Sequence, residues 1–261
     1  MQLSLKSKTA VVCGSTQGIG WATAEELAGL GATCILLARN EAALQEKVAA
    51  LKQMGNEGHQ YVVADFAKPE AVKAAIQKIV AQQTVHILIN NTGGPAAGSI
   101  IEASTESFLA AFNQHLVNNH NLVQAVVPGM KTEGWGRIVN IISTSVKIPL
   151  PNLGVSNTIR GAVASWAKTM ANELGQFGIT VNNVLPGFTS TARLESLIKT
   201  NAAKKGRSEE EEAKEMAQDV PARRFGTAAE VAVVAAFLAS PAASYVNGVS
   251  IPVDGGRTGS I

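Results

Sequence analysis

The chain has 261 residues, of which 46% are hydrophobic and 16% are charged, and its formal net charge is +2. A chain of this length and composition can bury one large core, so we expect a single globular domain. The small net charge and the 5% of aromatic residues give no basis for nucleic-acid binding. No apolar run of about 18 residues and no cleavable leader pattern occurs, which predicts a cytoplasmic protein outside membranes.

Seven short apolar runs alternate with segments of helical periodicity. They lie at residues 9–13, 33–38, 60–64, 86–90, 137–142, 179–184 and 249–253. Runs that are apolar almost throughout are typical of parallel strands covered on both faces. The alternation predicts an α/β fold, with one doubly wound, Rossmann-type domain over residues 1–261 and a seven-stranded parallel sheet.

The first strand leads into a glycine-rich segment and then into a helix near Trp21. Gly14, Gly18 and Gly20 follow the spacing G-x-x-x-G-x-G. In a dinucleotide site the first glycine turns the chain off the strand, the second admits a pyrophosphate, and the third lets the helix pack closely. An ordinary strand-to-helix turn would explain the same glycines, so both interpretations stay open at this point.

The next two strands end in residues that suit the adenosine half of a dinucleotide. Ala38 and Arg39 end the second strand without a carboxylate, and a cation there favours the 2′-phosphate of NADP. Arg39 could also be a surface residue that opens the next helix. Asp65 could accept a hydrogen bond from the adenine amino group or cap the helix near Pro69.

These motifs, with the turn Asn90-Asn91-Thr92-Gly93, resemble the short-chain dehydrogenase/reductase family over essentially the whole chain. Further matching segments are 136–143, 178–182, 186–187 and 253–256. The resemblance implies a dinucleotide cofactor and a small alcohol or carbonyl substrate, and Arg39 favours NADP(H) over NAD(H) as that cofactor. The cofactor-binding residues that it implies are Gly14, Ser15, Gln17, Gly18, Ile19, Gly20, Arg39, Asp65, Phe66, Asn91, Gly93, Arg160, Pro186, Gly187 and Thr189.

The family's catalytic residues are an asparagine, a serine and a Y-x-x-x-K pair, and this chain keeps only the serine, as Ser143. The tyrosine and lysine positions hold Ser156 and Arg160, and the asparagine position holds His115. The chain has two tyrosines, and neither is followed four residues later by lysine. Because serine is a far weaker acid than a phenol and arginine stays protonated, we expect the ordinary ketoreductase mechanism to be severely weakened.

Three groups could replace the missing acid. Ser156 could bond the substrate oxygen while Arg160 stabilises negative charge, and this is the arrangement that we favour. His115 could titrate near neutral pH and donate a proton, or it could be a packing residue. Lys147 could enter the cleft, or it could be a solvated loop residue.

Two functions therefore remain open. The first is an NADP(H)-dependent oxidoreductase with altered acid–base residues. The second is a dinucleotide-binding protein without turnover, acting as a sensor or an oligomer partner. No metal site is predicted for either function.

Residues 192–220 form an insertion before the last strand. Its charged run begins at Lys204, and Ser208 is the predicted N-cap of a helix whose first turn consists of glutamates. The charges predict a solvated helix, and the resemblance implies a mobile lid over the substrate.

Family members are commonly tetramers joined through the long helices after strands four and five. We therefore expect a homo-oligomer, a dimer or a tetramer, with core packing as the alternative for the same residues. The apolar residues at helical spacing are Leu109, Phe112, Leu116, Ala162, Val163, Trp166 and Met170.

Overall fold

The computed structural model describes residues 1–260, in which seven parallel strands form one sheet. The strands are β1 Thr9–Cys13, β2 Thr33–Ala38, β3 Gln60–Val63, β4 Ile87–Asn90, β5 Gly136–Ile141, β6 Ile179–Pro186 and β7 Ser250–Val253. Their spatial order is β3-β2-β1-β4-β5-β6-β7. The strands β2 and β3 are therefore added on one side of β1 and the strands β4 to β7 on the other, so the strand order reverses between the neighbours β1 and β4. The predicted Rossmann-type fold is confirmed, with strand ends shifted by one or two residues.

Helices cover both faces of the sheet. They are α1 Gly18–Gly29, α2 Glu41–Lys52, α3 Pro69–Gln82, α4 Thr105–Phe112, α5 Asn118–Glu133, α6 Gly154–Leu174, α7 Ala192–Lys205, α8 Glu209–Gln218 and α9 Ala228–Ala239. Successive strand residues point to opposite faces, so Val12 packs in the core beside α1 and α9 whereas Val11 packs in the core beside α3, α5 and α6. Among residues 1–260, no helix combines the length and apolar character needed to cross a bilayer.

A π-helical segment, Asn113–Val117, joins α4 to α5. The wider π turn carries His115, whose side chain is only 1% exposed. Directly after it, Asn118 donates from Nδ2 to the carbonyl oxygen of Phe66 at 2.7 Å. π turns inside long helices often lie at functional sites, and this one aims side chains at the loops that follow β3 and β4.

The insertion between β6 and β7 contains α7 and α8. The predicted N-cap Ser208 is confirmed, since its Oγ accepts from the backbone N–H of Glu211 at 3.2 Å. The predicted solvated helix α8 has a buried acidic side chain on its inner face, since Glu212 is 1% exposed. Its carboxylate forms ion pairs with Lys205 and Arg207, because the turn between the two helices brings both cations over it.

The seven apolar residues predicted to join subunits differ in exposure, and Leu116, Ala162 and Trp166 are half-buried. Leu109 and Phe112 on α4 are 58% and 41% exposed, whereas Val163 and Met170 on α6 are buried in the core. Core packing therefore explains the α6 pair. The α4 pair stays available for an interface.

Candidate functional site

A cleft of about 930 Å³ opens at the carboxyl ends of the central strands. It runs from β2 across β1 and β4 to β5 and β6, which spans the point where the strand order reverses. Open parallel sheets bind their ligands at this point. The predicted site residues that line it are Gly14, Gln17, Gly18, Ile19, Arg39, Asp65, Phe66, Asn91, Gly93, Ser143, Ser156, Arg160, Pro186, Gly187 and Thr189.

The glycine-rich loop leaves no room for side chains at two of its glycines. Gly14 has φ +59°, and a Cβ there would lie 2.6 Å from the carbonyl oxygen of Asn91. A Cβ on Gly20 would lie 2.2 Å from the carbonyl oxygen of Gly14. Asn91 also donates from Nδ2 to the carbonyls of Cys13 and Gly14, both at 3.2 Å, so the turn after β4 holds the loop after β1 in place.

The N-terminus of α1 faces the cleft without a competing anion. Gln17 occupies the N-cap position and makes no side-chain capping bond, and the first turn contains no acidic residue. Free N–H groups at a helix N-terminus, together with the helix dipole, form a binding site for a phosphate or another anion. The loop and helix therefore fit the diphosphate of a dinucleotide.

At the adenosine end, Arg39 is exposed and lines the cleft. Its neighbour Asn40 caps α2 by accepting from the N–H of Ala43 at 3.1 Å, so the guanidinium is not needed for that turn. Asp65 accepts from the N–H of Ala67 at 3.0 Å. The alternative that Asp65 caps α3 is wrong, because Lys68 occupies that N-cap position.

Arg160 lines the cleft, although only 7% of the residue is exposed. It donates from Nη1 to the carbonyl of Ile141 at 3.2 Å and from Nη2 to the carbonyl of Thr92 at 3.5 Å, which places it between the ends of β4 and β5. Burial, and then the charge of Arg193, lowers its pKa to about 10. The guanidinium thus stays protonated at neutral pH. Arg160 and Ser156 both belong to α6, where one helical turn separates them.

Ser143 follows β5 and its Oγ accepts from the N–H of Ser145 at 3.1 Å. This bond orients the hydroxyl and leaves its own proton free to donate to a ligand. Lys147, at the end of the same short turn, is exposed and lies outside the cleft lining. The structure therefore does not bring Lys147 into the site.

His115 does not match the predicted titration near neutral pH. Its Nδ1 lies 2.5 Å from Oγ1 of Thr92, and its Nε2 is buried with no hydrogen-bond partner among residues 1–260. Burial, followed by the nearby charge of Arg160, lowers its pKa to about 2. The imidazole is therefore neutral at physiological pH and lies behind the cleft lining.

Two more predicted residues, Ser15 and Gly20, lie under the loop and not on the cleft surface. Ser15 is fully buried, and its Oγ has no hydrogen-bond partner among residues 1–260. Gly20 packs against the carbonyl of Gly14. Gly20 thus supports the close contact of helix and loop, as its position in the glycine pattern predicts.

Sequence reasoning missed two arginines that line the cleft, Arg193 and Arg257. Arg193, in the first turn of α7, donates to the carbonyls of Gly94 at 3.4 Å and Pro95 at 2.6 Å. The guanidinium carbon of Arg257 lies 4.2 Å from the ring centre of Phe188. No motif contains these residues, and their partners lie up to 99 positions away in the sequence.

The strand order, the glycine-rich turn and the cleft at the strand ends define a Rossmann-type α/β protein. Residues 14–258 match the model of the family described as enoyl-(acyl carrier protein) reductase. The chain belongs to this family, within the short-chain dehydrogenases/reductases.

Similar proteins cover nearly the full length of the chain. The 3-oxoacyl-(acyl-carrier-protein) reductase FabG of Pseudomonas aeruginosa is 33% identical, over 97% of this chain and 98% of the relative. The NADPH-dependent reductase BacG of Bacillus subtilis is 32% identical, over 98% and 100%. The crystal structure of L-sorbose reductase from Gluconobacter frateurii with NADPH and L-sorbose has a TM-score of 0.94 at 30% identity, with 100% of both chains covered.

Proposed function

We propose that this protein is an NADP(H)-dependent oxidoreductase that transfers a hydride to or from a small carbonyl or alcohol, using altered acid–base residues. The observation that carries the proposal is one continuous cleft from Arg39, through the glycine-rich loop, to Ser143, Ser156 and Arg160. Its relatives include a reductase described as NADPH-dependent and a reductase whose structure contains NADPH.

The cofactor would lie along the strand ends. Arg39 would pair with the 2′-phosphate, the α1 N-terminus with the diphosphate, and the turn at Asn91–Gly93 with the nicotinamide ribose. When bound, the cofactor supplies or accepts the hydride. Pro186, Gly187 and Thr189 would contact the nicotinamide, since they lie at and just after the end of β6 and line the same cleft as Ser143.

The protein's own task in reduction is to stabilise the oxygen that gains negative charge. Ser143 and Ser156 can donate hydrogen bonds to it, and the buried guanidinium of Arg160 supplies a fixed positive charge nearby. A hydride adds to the carbonyl carbon and the oxygen finally takes its proton from water. Because general acid catalysis contributes about 10²–10⁴ in rate, turnover without a phenolic acid should be slow.

The insertion at residues 192–220 would act as the lid. Arg193, Leu194 and Leu197 of α7 line the cleft, and Thr189 pairs with Gly226 in an isolated bridge at the base of the insertion. A lid that excludes water would strengthen the electrostatic interactions at the reacting oxygen.

A second function, dinucleotide binding without turnover, is favoured by one observation. The neutral, buried His115, with a pKa of about 2, cannot replace the missing phenol as an acid. The two functions are separated by measuring NADPH binding by fluorescence and NADPH oxidation with a broad panel of carbonyl compounds. Binding with turnover supports the oxidoreductase, binding without turnover supports the sensor, and no saturable binding would exclude both.

A further inference from the structure

The reacting end of the cleft carries unbalanced positive charge. Arg160, Arg193 and Arg257 all line the cleft, and within residues 1–260 none of them forms an ion pair. Among the described residues that line the cleft, Asp65 is the one with a carboxylate, and it lies at the opposite, adenosine end. Cations gathered in a cleft with low-dielectric walls attract anionic ligands.

Two of these guanidinium groups converge on one point. A Cβ on Gly94 would lie 3.6 Å from Nη2 of Arg193 and 3.7 Å from Nη2 of Arg160. Both groups bond only to main-chain carbonyls, those of Ile141 and Thr92 for Arg160 and those of Gly94 and Pro95 for Arg193. Neutral carbonyls do not compensate two like charges at close range, so an anion between them would be strongly favoured.

The position of the two arginines in the sheet indicates which anionic group they would bind. The diphosphate site at the α1 N-terminus follows β1, whereas Arg160 bonds to carbonyls at the ends of β4 and β5. Because β4 lies between β1 and β5 in the sheet, the arginine pair lies on the side of Ser143 and Ser156. An anion bound there would lie at the same end of the cleft as the two serine hydroxyls.

We propose that Arg160 and Arg193 together bind a carboxylate of the substrate, so that this protein acts on small oxo acids or hydroxy acids in preference to neutral compounds. Guanidinium groups match the two oxygens of a carboxylate through paired N–H donors. The inference rests on the proposed function, since the substrate's carbonyl must reach Ser143 and Ser156 while its carboxylate meets the arginines. A phosphate of the cofactor is the competing anion.

The test measures cofactor and substrate binding separately. NADPH affinity is measured by fluorescence for the wild type, Arg193→Ala and the control Lys199→Ala, an exposed cation on the same helix. Each NADPH-saturated protein is then titrated calorimetrically with pyruvate and 4-oxopentanoate and with their neutral amides. We expect the wild type and Lys199→Ala to bind at least one acid about tenfold more tightly than its amide, the discrimination that one charged pair provides.

Arg193→Ala should lose most of this preference while its NADPH affinity changes by less than about threefold, and Arg193→Lys should recover part of it. Equal binding or no binding of acid and amide by the NADPH-bound wild type would overturn the inference and leave the proposed function standing. If Arg193→Ala weakened NADPH binding and not the preference for acids, the arginine would serve the cofactor and the inference would be wrong. Absence of NADPH binding would overturn the proposed function itself.

Discussion

Oγ1 of Thr92 and Nδ1 of His115 lie 2.5 Å apart, and this contact joins the turn after β4 to the π turn between α4 and α5. The imidazole is buried, and its pKa falls to about 2 because burial and the charge of Arg160 both oppose protonation. The neutral ring fills the space behind the cleft. Protonating it would place a second buried cation beside Arg160.

The first prediction is that acid destabilises the protein partly through this histidine. The folded-state pKa of about 2 lies below the ordinary value of 6.5, so the unfolded state binds more protons between these limits. The contribution of His115 to the free energy of unfolding is therefore fully present above about pH 6.5, and it is lost as the pH is lowered. His115 should contribute a loss of about 2–3 kcal/mol by pH 4.5, and the burial that lowers the pKa values of His59 and His86 acts in the same direction.

Urea unfolding between pH 7.5 and pH 4.5 checks this prediction. His115→Asn should show a shallower dependence of the unfolding free energy on pH than the wild type. His120→Asn, at an exposed position of α5, is the matched control and should retain the wild-type slope. Equal slopes for the wild type and His115→Asn would contradict the assignment.

The second prediction concerns the preference for NADP(H). Arg39→Ala should weaken NADPH binding by about tenfold or more and leave NADH binding nearly unchanged, since a charged hydrogen bond to the 2′-phosphate is lost. Fluorescence titration with both cofactors measures the ratio. Lys78→Ala, an exposed cation on α3, should leave the ratio unaltered, and an unaltered ratio in Arg39→Ala would remove the role given to Arg39.

The fold could be predicted from the sequence because its determinants are local. Each strand is a short, almost continuous apolar run, and the glycine pattern marks the turn from β1 to α1. Errors of one or two residues occur at strand ends, where the hydrogen-bond ladder and not the apolar run sets the limit. At β6 the ladder continues to Pro186, because β7 pairs with it up to that residue.

The sequence predicts those residues of the site that belong to a motif, and it does not predict the others. Asn91 and Ser143 belong to recognisable segments, whereas the proximity of Arg193 to Gly94 arises from packing of α7 across the cleft. The pKa of His115 likewise depends on burial by the π turn and on Arg160, which is 45 positions further along. Isolated residue types carry no signal for contacts of this kind.

The third prediction is that the protein forms an oligomer through α4. Leu109 is 58% exposed, so Leu109→Glu should dissociate the assembly without harming the core. Sedimentation at micromolar concentration should show an oligomer for the wild type and smaller species for this variant. Met54→Glu, at a 52% exposed position outside α4, should leave the assembly intact. A purely monomeric wild type would exclude the interface.

The fourth prediction concerns the stability of the proposed lid. Glu212→Ala removes a buried carboxylate that pairs with Lys205 and Arg207, and it leaves both cations with Glu215, which is half exposed, as their remaining shared partner. Hydrogen exchange of amides in α7 and α8 should accelerate by about tenfold or more, with the sheet unaffected. Glu209→Ala, at an exposed position of the same helix, should leave exchange unchanged. Unchanged exchange in Glu212→Ala would show that the ion pairs do not hold the lid together.

The fifth prediction concerns the reaction and the residue pair at positions 156 and 160. Ser156 and Arg160 lie four residues apart on α6, and both line the cleft. The double substitution Ser156→Tyr and Arg160→Lys introduces a phenol and an amine at the positions where the resemblance described above implies the tyrosine and lysine. A phenol is a far better proton donor than a serine hydroxyl, and a neighbouring ammonium lowers its pKa.

Carbonyl reduction by this double variant should therefore rise above the wild-type rate, by up to the factor of about 10²–10⁴ that general acid catalysis provides. Its pH profile should gain a dependence on a lowered phenol pKa that the wild type lacks. Ser156→Ala is the companion variant and should slow the wild-type reaction, because it removes one donor to the developing oxyanion. If the wild type instead turned over at about 1–10³ s⁻¹ and Ser156→Ala had no effect, a different group would supply the proton, and the roles proposed for Ser156 and Arg160 would be wrong.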